Sequence, residues 1–331
     1  MDPVSQAVLG SAAAQSISKK HIVSAGILGC LGGMAPDLDV LIRSSTDPLL
    51  FLKYHRHFTH SLIFIPIGGL ICALVLHQLI GKRRQLSFKQ SYLYCTIGYA
   101  THALLDACTT YGTMLFWPFS DTRIAWNTVS VVDPLFTIPI LLLVVLSAIK
   151  RNPWLARIAL IWAVVYLSLG FIQHQRAIAV GYEIAQQRGH SPTRLEAKPS
   201  FANILVWKIV YEHDKYFYVD AVRVGTVTKI FTGSKAAKLD IDRDFPWLDK
   251  NSQQAKDIER FRWFSIDYLA IDPDNKNHAI DVRYSMVPNQ ISPLWSIELS
   301  PTAGSAEHVK YLTNRDASDD RLNMFKSILF D

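Results

Sequence analysis

The sequence predicts a mostly α-helical transmembrane bundle followed by a smaller soluble domain that is mostly β (α+β). Two observations predict this division. Residues 61–80, 131–149 and 154–172 are charge-poor apolar runs of about 20 residues, long enough to cross a bilayer. After about residue 190 the chain instead alternates polar and apolar residues and is rich in Val, Tyr and Ile, which is typical of strands.

Three further segments complete the predicted bundle. Residues 3–17 and 25–40 are rich in Gly and Ala and are short for full spans, so they could form a packed hairpin. Residues 91–110 are less apolar and contain His102 and Asp106, which suits a helix facing the bundle interior. We therefore expect about five to six membrane-embedded helices. Core helices of a large soluble protein are the alternative, which three charge-poor runs disfavour.

The second half of the chain predicts several strands and one short helix. Residues 201–229 read as a strand pair with a polar break at 212–215, and residues 252–260 read as a polar helix. Further strands are expected at 261–271, 279–285 and 294–299. The predicted domains are a membrane-embedded domain at 1–175, a linker at 176–195 and a soluble domain at 196–331.

The distribution of charge predicts an orientation. The chain has 34 Lys and Arg against 28 Asp and Glu, a net charge of +6. Basic clusters at 19–20, 82–89 and 150–157 follow or separate the apolar segments, and all three fall on the same side if the chain crosses the membrane back and forth. Positive clusters of this kind mark the cytoplasmic side. We expect a multi-pass protein of the bacterial inner membrane with a periplasmic C-terminal domain. The bilayer explains much of the positive charge, and no nucleic-acid motif is evident, so nucleic acid is excluded as a partner.

Histidine and aspartate collect near the outer end of this predicted topology. Ionisable residues inside a membrane are costly and usually functional. His102 and Asp106 are four residues apart and share a helix face, and His57 and His60 would share one if the fourth helix begins there. Imidazole with carboxylate suits zinc, and also manganese or iron. The predicted metal ligands are Asp37, His57, His60, His102 and Asp106.

Other polar residues near this end are weaker candidates. Thr59 and Ser61 could support the ligands or cap a helix, and Arg56 could hold an anionic substrate group such as phosphate. The structural alternatives are that Asp37 and Asp39 cap a helix, and that His102 and Asp106 form a hydrogen-bonded pair. The remaining weaker candidates are His55, Asp121 and Asp133.

The first 175 residues resemble the LexA-regulated, membrane-bound metal-dependent hydrolases of the inner membrane. The resemblance rests on an ordered set of motifs: Ala7-Val8-Leu9-Gly10, Pro36-Asp37-Leu38-Asp39, His57-Phe58-Thr59-His60-Ser61-Leu62, Thr101-His102-Ala103-Leu104-Leu105-Asp106, Thr109-Thr110-Tyr111-Gly112, Trp117-Pro118-Phe119-Ser120 and Val132-Asp133-Pro134. It implies a multi-span protein whose His and Asp residues bind metal for hydrolysis. The family commonly has a His where this chain has Gln6, a poor zinc ligand.

Together these features predict hydrolysis of an ester or phosphoester of a lipid or envelope compound. The metal would activate a water, Asp39 would act as general base, and Arg56 would hold the substrate. A non-catalytic anchor that binds an envelope partner, with a structural or sensing metal site, is the alternative that Gln6 favours. A proton-coupled transporter is a third possibility, which the collection of ionisable residues at one face disfavours.

Overall fold

The computed structural model describes residues 1–314 and 318–330, which form two compact units. The first, the helical unit, comprises Met1–Leu41, Tyr54–Ile172 and Phe201–Asn203. The second, the β unit, comprises Ile42–Lys53, Gln173–Ser200 and the chain from Ile204 onward. The predicted fold class is confirmed, because a helical half precedes a domain of antiparallel sheets.

Seven helices occupy the first 187 residues, and four of them begin at Pro or directly after a capping side chain. Asp2 caps the first helix, Ser87 forms a capping box with Gln90 at the fifth, and Asp133 caps the sixth. Short 3₁₀ segments at Ala35–Leu41, Phe58–His60 and Leu62–Phe64 connect some of them. The helices are α1 (Pro3–Ile17), α2 (Ile22–Met34), α3 (Leu50–Tyr54), α4 (Ile65–Leu76), α5 (Phe88–Cys108), α6 (Pro134–Lys150) and α7 (Pro153–Gln187).

Three helical stretches are long and apolar enough to cross a membrane. They are Ile22–Leu41, Leu62–Arg84 and Pro153–Gln187, and the apolar helix α6 is somewhat shorter. Most of Leu62–Arg84 and of Pro153–Gln187 is not buried inside the protein. Apolar helix surface that the protein leaves uncovered is what contact with lipid requires.

Glycines bring α1, α2 and α5 into backbone contact. A Cβ atom added to Gly10 of α1 would lie 2.4 Å from the carbonyl oxygen of Gly29 of α2. One added to Gly98 of α5 would lie 2.1 Å from the same oxygen. Without side chains at these positions, the three helices approach as closely as small residues allow in membrane bundles. The predicted hairpin of residues 3–17 and 25–40 is this α1–α2 pair.

Two antiparallel sheets make up most of the β unit. The strand pair predicted within 201–229 is confirmed as a hairpin of β2 and β3, with Asp214 in the left-handed region (φ 54°) at its turn. The first sheet has the order β1-β2-β3-β4, with β5 also pairing with β3, and the second has the order β6-β7-β8-β9. The strands are β1 (Arg194–Pro199), β2 (Val206–His213), β3 (Tyr216–Val224), β4 (Thr228–Phe231), β5 (Lys235–Ala237), β6 (Leu269–Ile271), β7 (His278–Asp281), β8 (Trp295–Glu298) and β9 (Lys310–Thr313).

The expected strand at 261–271 is wrong in its first half. Helix α9 (Gln253–Phe264) extends through Phe264, and only Leu269–Ile271 is a strand. Ser252 caps α9, and Ile258, Phe261 and Phe264 are buried at a spacing of three, which is a helical period. The described part of this unit also contains the short helix α8 (Ile241–Asp244) and helix α10 (Asp319–Phe330). The stretch predicted as a linker, 176–195, contains the end of α7 and the start of β1.

Candidate metal centre

Four residues from three parts of the helical unit converge on one point. Asp37 lies in the 3₁₀ segment after α2, His60 in the 3₁₀ turn before α4, and His102 and Asp106 in the last two turns of α5. One nitrogen or oxygen atom of each lies within 4.8 Å of those of the other three. His60, His102 and Asp106 are fully buried, and Asp37 is partly exposed. The sequence predicted all four as ligands.

The spacing of the four atoms matches a tetrahedral metal site. Nε2 of His60 lies 2.9 Å from Nε2 of His102, and Oδ1 of Asp37 lies 3.5 and 3.4 Å from these nitrogens. Oδ2 of Asp106 lies 3.4 and 3.6 Å from the same nitrogens. Ligands at about 2.1 Å from a tetrahedral zinc ion are separated from one another by about 3.4 Å. Oδ1 of Asp37 is also buried without a hydrogen-bond partner, which suits an atom that binds a cation.

The main chain fixes the tautomer of His102. Its Nδ1 atom lies 2.6 Å from the carbonyl oxygen of Gly33, which can only accept a hydrogen bond. Nδ1 therefore carries the proton, and Nε2 presents a lone pair toward the other three ligand atoms. Metal-binding histidines in proteins are oriented by this kind of hydrogen bond.

Asp39 does the same for His60. Its Oδ2 atom lies 3.3 Å from Nδ1 of His60 and accepts hydrogen bonds from Thr59 Oγ1 (2.8 Å) and the backbone N–H of Arg56 (2.9 Å). Oγ1 of Thr59, whose own proton goes to Asp39, lies 3.0 Å from Nδ1 of His60 and can accept from it. Nδ1 of His60 therefore carries a proton, and in the neutral ring Nε2 presents a lone pair. Two imidazole nitrogens 2.9 Å apart are held together either by a proton shared between them or by a cation close to both. The approach of these two nitrogens, with two carboxylate oxygens beside them, suits a metal site.

Three groups besides the histidines contact Asp106. The side-chain amide of Gln6 donates to Oδ1 of Asp106 (2.8 Å), and the amino group of Met1 contacts the same oxygen. Nε of Arg56 lies 3.0 Å from Oδ2. Gln6, which stands where the family commonly has a His, therefore supports a ligand through its amide. These contacts orient Asp106 and balance its buried charge.

Arg56, predicted to hold an anionic substrate, lies in the wall of the site. It is buried, and its guanidinium donates to Oγ1 of Thr109 (3.1 Å) and lies over the ring of Tyr111, with 4.9 Å to the centroid. Its backbone is in the left-handed region (φ 61°). Asp106 is the carboxylate beside it, so the structure gives Arg56 a protein anion as its partner.

A second group of possible ligands shares Asp37. Atoms of Asp37, Asp39 and His55 also lie within 4.8 Å of one another. Nδ1 of His55 donates to Oδ1 of Asp39 (2.8 Å), and the His55 ring is partly exposed. The two groups are adjacent, so His55 and Asp39 belong to the surroundings of the first four residues.

The other predicted site residues lie elsewhere. His57 packs against the rings of Tyr54 and Trp117 and does not belong to either group of ligand atoms. Ser61 donates to the carbonyl oxygen of Phe58. Asp121 is exposed, and Asp133 caps α6 and accepts hydrogen bonds from the hydroxyl of Tyr166 at 2.9 and 2.8 Å.

The condition under which His57 and His60 would share a helix face is not met. A 3₁₀ turn covers only Phe58–His60, and α4 begins at Ile65. His57 precedes the turn with non-helical dihedrals (φ −95°, ψ −125°), so its side chain does not share a helical face with that of His60. The three-residue spacing therefore does not bring the side chains of His57 and His60 to the same site.

Sequence reasoning missed the groups that orient the ligands. The carbonyl of Gly33, the hydroxyl of Thr109 and the ring of Tyr111 each contact a site residue. Thr109 and Tyr111 lie in a motif that carries the family resemblance, which was their only signal. A carbonyl acceptor leaves no mark in residue type, so nothing in the sequence could indicate Gly33.

Comparison with known proteins identifies the family. The model of the YdjM inner membrane protein family matches residues 1–177, more than half of the chain. The chain belongs to the YdjM inner membrane protein family. The resemblance to inner-membrane proteins is thereby confirmed, and the YdjM match covers the entire group of Asp37, His60, His102 and Asp106.

A curated relative supports the YdjM assignment. The inner membrane protein YbcI of Escherichia coli (strain K12) is 33% identical over 108 residues. This match covers 31% of the present chain and 60% of YbcI. No solved structure is significantly similar to the chain.

Proposed function

We propose that this YdjM-family protein is a metal-dependent hydrolase of the inner membrane, acting on an ester or phosphoester of a lipid or envelope compound. The observation that carries the proposal is the approach of two histidine Nε2 atoms to 2.9 Å, with Nδ1 of each ring bonded elsewhere. Two carboxylate oxygens complete the set at 3.4–3.6 Å. This donor set suits zinc, and also manganese or iron.

The protein groups around the ligands have distinct roles in this proposal. A divalent ion held by the four ligands would supply an acidified water and polarise the bond to be hydrolysed. Gly33 and Asp39 hold the protons on the Nδ1 atoms, which keeps both Nε2 atoms available as ligands. Arg56 and Gln6 keep Asp106 in place.

His55 is a better candidate for general base than Asp39. Both oxygens of Asp39 already accept hydrogen bonds, from His55 at Oδ1 and from Thr59 and Arg56 at Oδ2. The bond from Nδ1 of His55 fixes that proton and leaves Nε2 of the partly exposed ring free to accept another. Asp39 then acts as the positioning residue of a His–Asp pair.

Because both oxygens of Asp39 already accept hydrogen bonds, Asp39 is a poor general base, which also favours a second candidate function. If His55 takes no proton, the group is a structural or sensing metal site in a membrane anchor. The periplasmic location of the β unit, which the basic clusters predict, is part of both proposals.

Metal content and turnover test the proposal together. The full chain, purified in detergent and loaded with zinc or manganese, is assayed by elemental analysis and by hydrolysis of bis(p-nitrophenyl) phosphate and p-nitrophenyl butyrate. We expect bound metal, turnover that a chelator abolishes, and recovery when metal is restored. His57→Ala is the matched control for His60→Ala, because only His60 belongs to the group. Metal without turnover would support the anchor, and equal metal in both variants would contradict the site.

A further inference from the structure

We infer that the metal centre opens onto the lipid of the bilayer, and that its substrate is a phospholipid that enters sideways between Leu38, Leu41 and the start of α4. The inference rests on the proposed function and narrows its substrate class to one source. It is carried by the exposure of the residues beside the ligands.

The opening of the site is at Asp37. Of the four ligand side chains, those of His60, His102 and Asp106 have no exposed surface, whereas that of Asp37 is 26% exposed. A substrate that reaches the four atoms without rearranging the bundle therefore approaches past Asp37.

Apolar side chains surround that opening in the sequence. Leu38 is 64% exposed and Leu41 is 74% exposed, and both belong to the same 3₁₀ segment as Asp37. Three residues apart in a 3₁₀ helix, their side chains lie on one face. Met34, one turn before, is also exposed.

The same residues belong to stretches that can cross a membrane. Leu38 and Leu41 are at the end of the candidate span Ile22–Leu41. Leu62 and Ile63, which are also exposed, begin the candidate span Leu62–Arg84 two residues after His60. The apolar surface beside the ligands is thus continuous along the chain with surface that faces lipid. Large exposed apolar side chains at such a position are stable only if something apolar covers them, and the bilayer is already there.

A phospholipid fits this arrangement chemically. Its acyl chains would remain against Leu38 and Leu41 at the bilayer edge, and its ester or phosphoester would reach the partly exposed Asp37. The reaction is hydrolysis: water adds to the carbonyl carbon or to phosphorus, the bond to the leaving oxygen breaks, and that oxygen receives a proton. Hydrolysis of an acyl ester leaves both products at the interface, whereas hydrolysis of a phosphoester releases the water-soluble head group and leaves the product that carries the acyl chains.

The first test measures lipid contact directly. The photoreactive residue p-benzoylphenylalanine is placed at Leu38 or Leu41 of the full chain, which is reconstituted in vesicles of ³²P-labelled phosphatidylethanolamine and phosphatidylglycerol. We expect labelling at both positions, as at Ile161, an exposed residue of α7. The exposed Val227 of the β unit is the negative control. Labelling at Ile161 without labelling at Leu38 and Leu41 would overturn the inference, whether or not the protein is a hydrolase.

The second test separates the entrance from the chemistry. The pair Leu38→Ser and Leu41→Ser is compared with Ile71→Ser and Leu74→Ser, exposed residues of α4 with the same spacing. In phospholipid vesicles we expect the first pair to lower hydrolysis about tenfold or more through lost apolar contact, and the second to leave it unchanged. Metal content should be unchanged in both, and the ratio of vesicle hydrolysis to hydrolysis of the soluble bis(p-nitrophenyl) phosphate should fall only in the first pair. Unchanged vesicle hydrolysis in the first pair would refute the entrance alone, whereas a metal-loaded wild type inactive on every substrate would refute the proposed function.

Discussion

Oδ2 of Asp39 lies 3.3 Å from Nδ1 of His60, on the side of the imidazole that faces away from the other ligand atoms. In the proposed metal site, this contact gives Asp39 an influence on metal affinity although Asp39 is not one of the four proposed ligands. Its second oxygen binds His55, so one buried carboxylate positions two histidines.

Asp39→Asn should weaken metal binding without removing it. An amide that directs its NH₂ group at Nδ1 of His60 would favour the wrong tautomer, and loss of such a partner typically lowers metal affinity about 10–100-fold. Competition with a chelating zinc indicator measures the affinity. Asp121→Asn, at an exposed aspartate away from the group, is the matched control and should bind as wild type does.

His60→Ala and His102→Ala should each abolish stoichiometric metal binding. Either change leaves only three of the four ligand atoms, and the buried carboxylate of Asp106 then lacks its cation. The metal occupancy after dialysis should therefore fall more than tenfold. Elemental analysis of purified protein measures the occupancy. Retention of full metal by both variants would show that the ion, if present, is bound elsewhere.

His55→Gln should separate turnover from metal binding. The loss of a positioned base typically lowers turnover about 10²–10⁴-fold, whereas the four ligands of the first group are untouched. Steady-state hydrolysis of bis(p-nitrophenyl) phosphate and elemental analysis of the same sample provide the two measurements. If metal content falls in parallel with turnover, His55 is a ligand and not a base.

Gly98→Leu should destabilise the helical unit. Even a Cβ at this position would lie 2.1 Å from the Gly29 carbonyl oxygen, so α5 must move away from α2. Overpacking of this kind costs about 1–3 kcal/mol or more, and the melting temperature in detergent should fall. Gly304→Leu is the control, because a Cβ there meets no atom within 4 Å.

The β unit should become more stable as pH rises above 7, because of Lys208. Burial lowers the pKa of Lys208 from 10.5 to about 7, while its ammonium donates to Oγ of Ser285 (2.7 Å) and the carbonyl of Gln290 (2.9 Å). Between about pH 7 and 10.5 the unfolded chain binds more protons at this group than the folded chain does. The free energy of unfolding therefore rises by at most about 1.4 kcal/mol per pH unit in this window. Below it both states bind the proton, so Lys208 adds nothing to the pH dependence of stability.

Urea titration of the full chain, followed by brief proteolysis and mass spectrometry of peptides from β2 and β3, measures this trend. Lys208→Met keeps most of the apolar length of the side chain and removes the titrating amine. The difference between wild type and Lys208→Met should change between pH 7 and 9. A constant difference would contradict the lowered pKa.

The sequence predicted most helices and singled out the four residues that converge, for a clear physical reason. The composition of an apolar run or a Gly-rich segment indicates by itself whether the segment lies in the membrane. The four-residue spacing of His102 and Asp106 indicates that they share a helix face. Those signals are local, so they do not depend on knowing the tertiary structure.

The parts that the sequence did not predict depend on tertiary contacts or on the main chain. His57 and His60 carry the same residue type, and only the 3₁₀ turn at Phe58–His60 separates them. Phe261–Phe264 has an apolar content that fits a strand or a helix, and the upstream cap at Ser252 continues the helix through it. The roles of Asp39 and Arg56 depend on partners 16 to 53 residues away along the chain.

The hydrogen bond from His102 to Gly33 has a consequence for the interpretation of mutational scans. The acceptor is a peptide oxygen, so no side-chain replacement can delete it; it can only be displaced. Position 33 nevertheless tolerates little, since a Cβ there would lie 2.8 Å from the carbonyl oxygen of Gln6. In such a scan Gly33 would therefore be as intolerant of substitution as His102. Loss of activity at Gly33 would report a shifted backbone and not a missing chemical group.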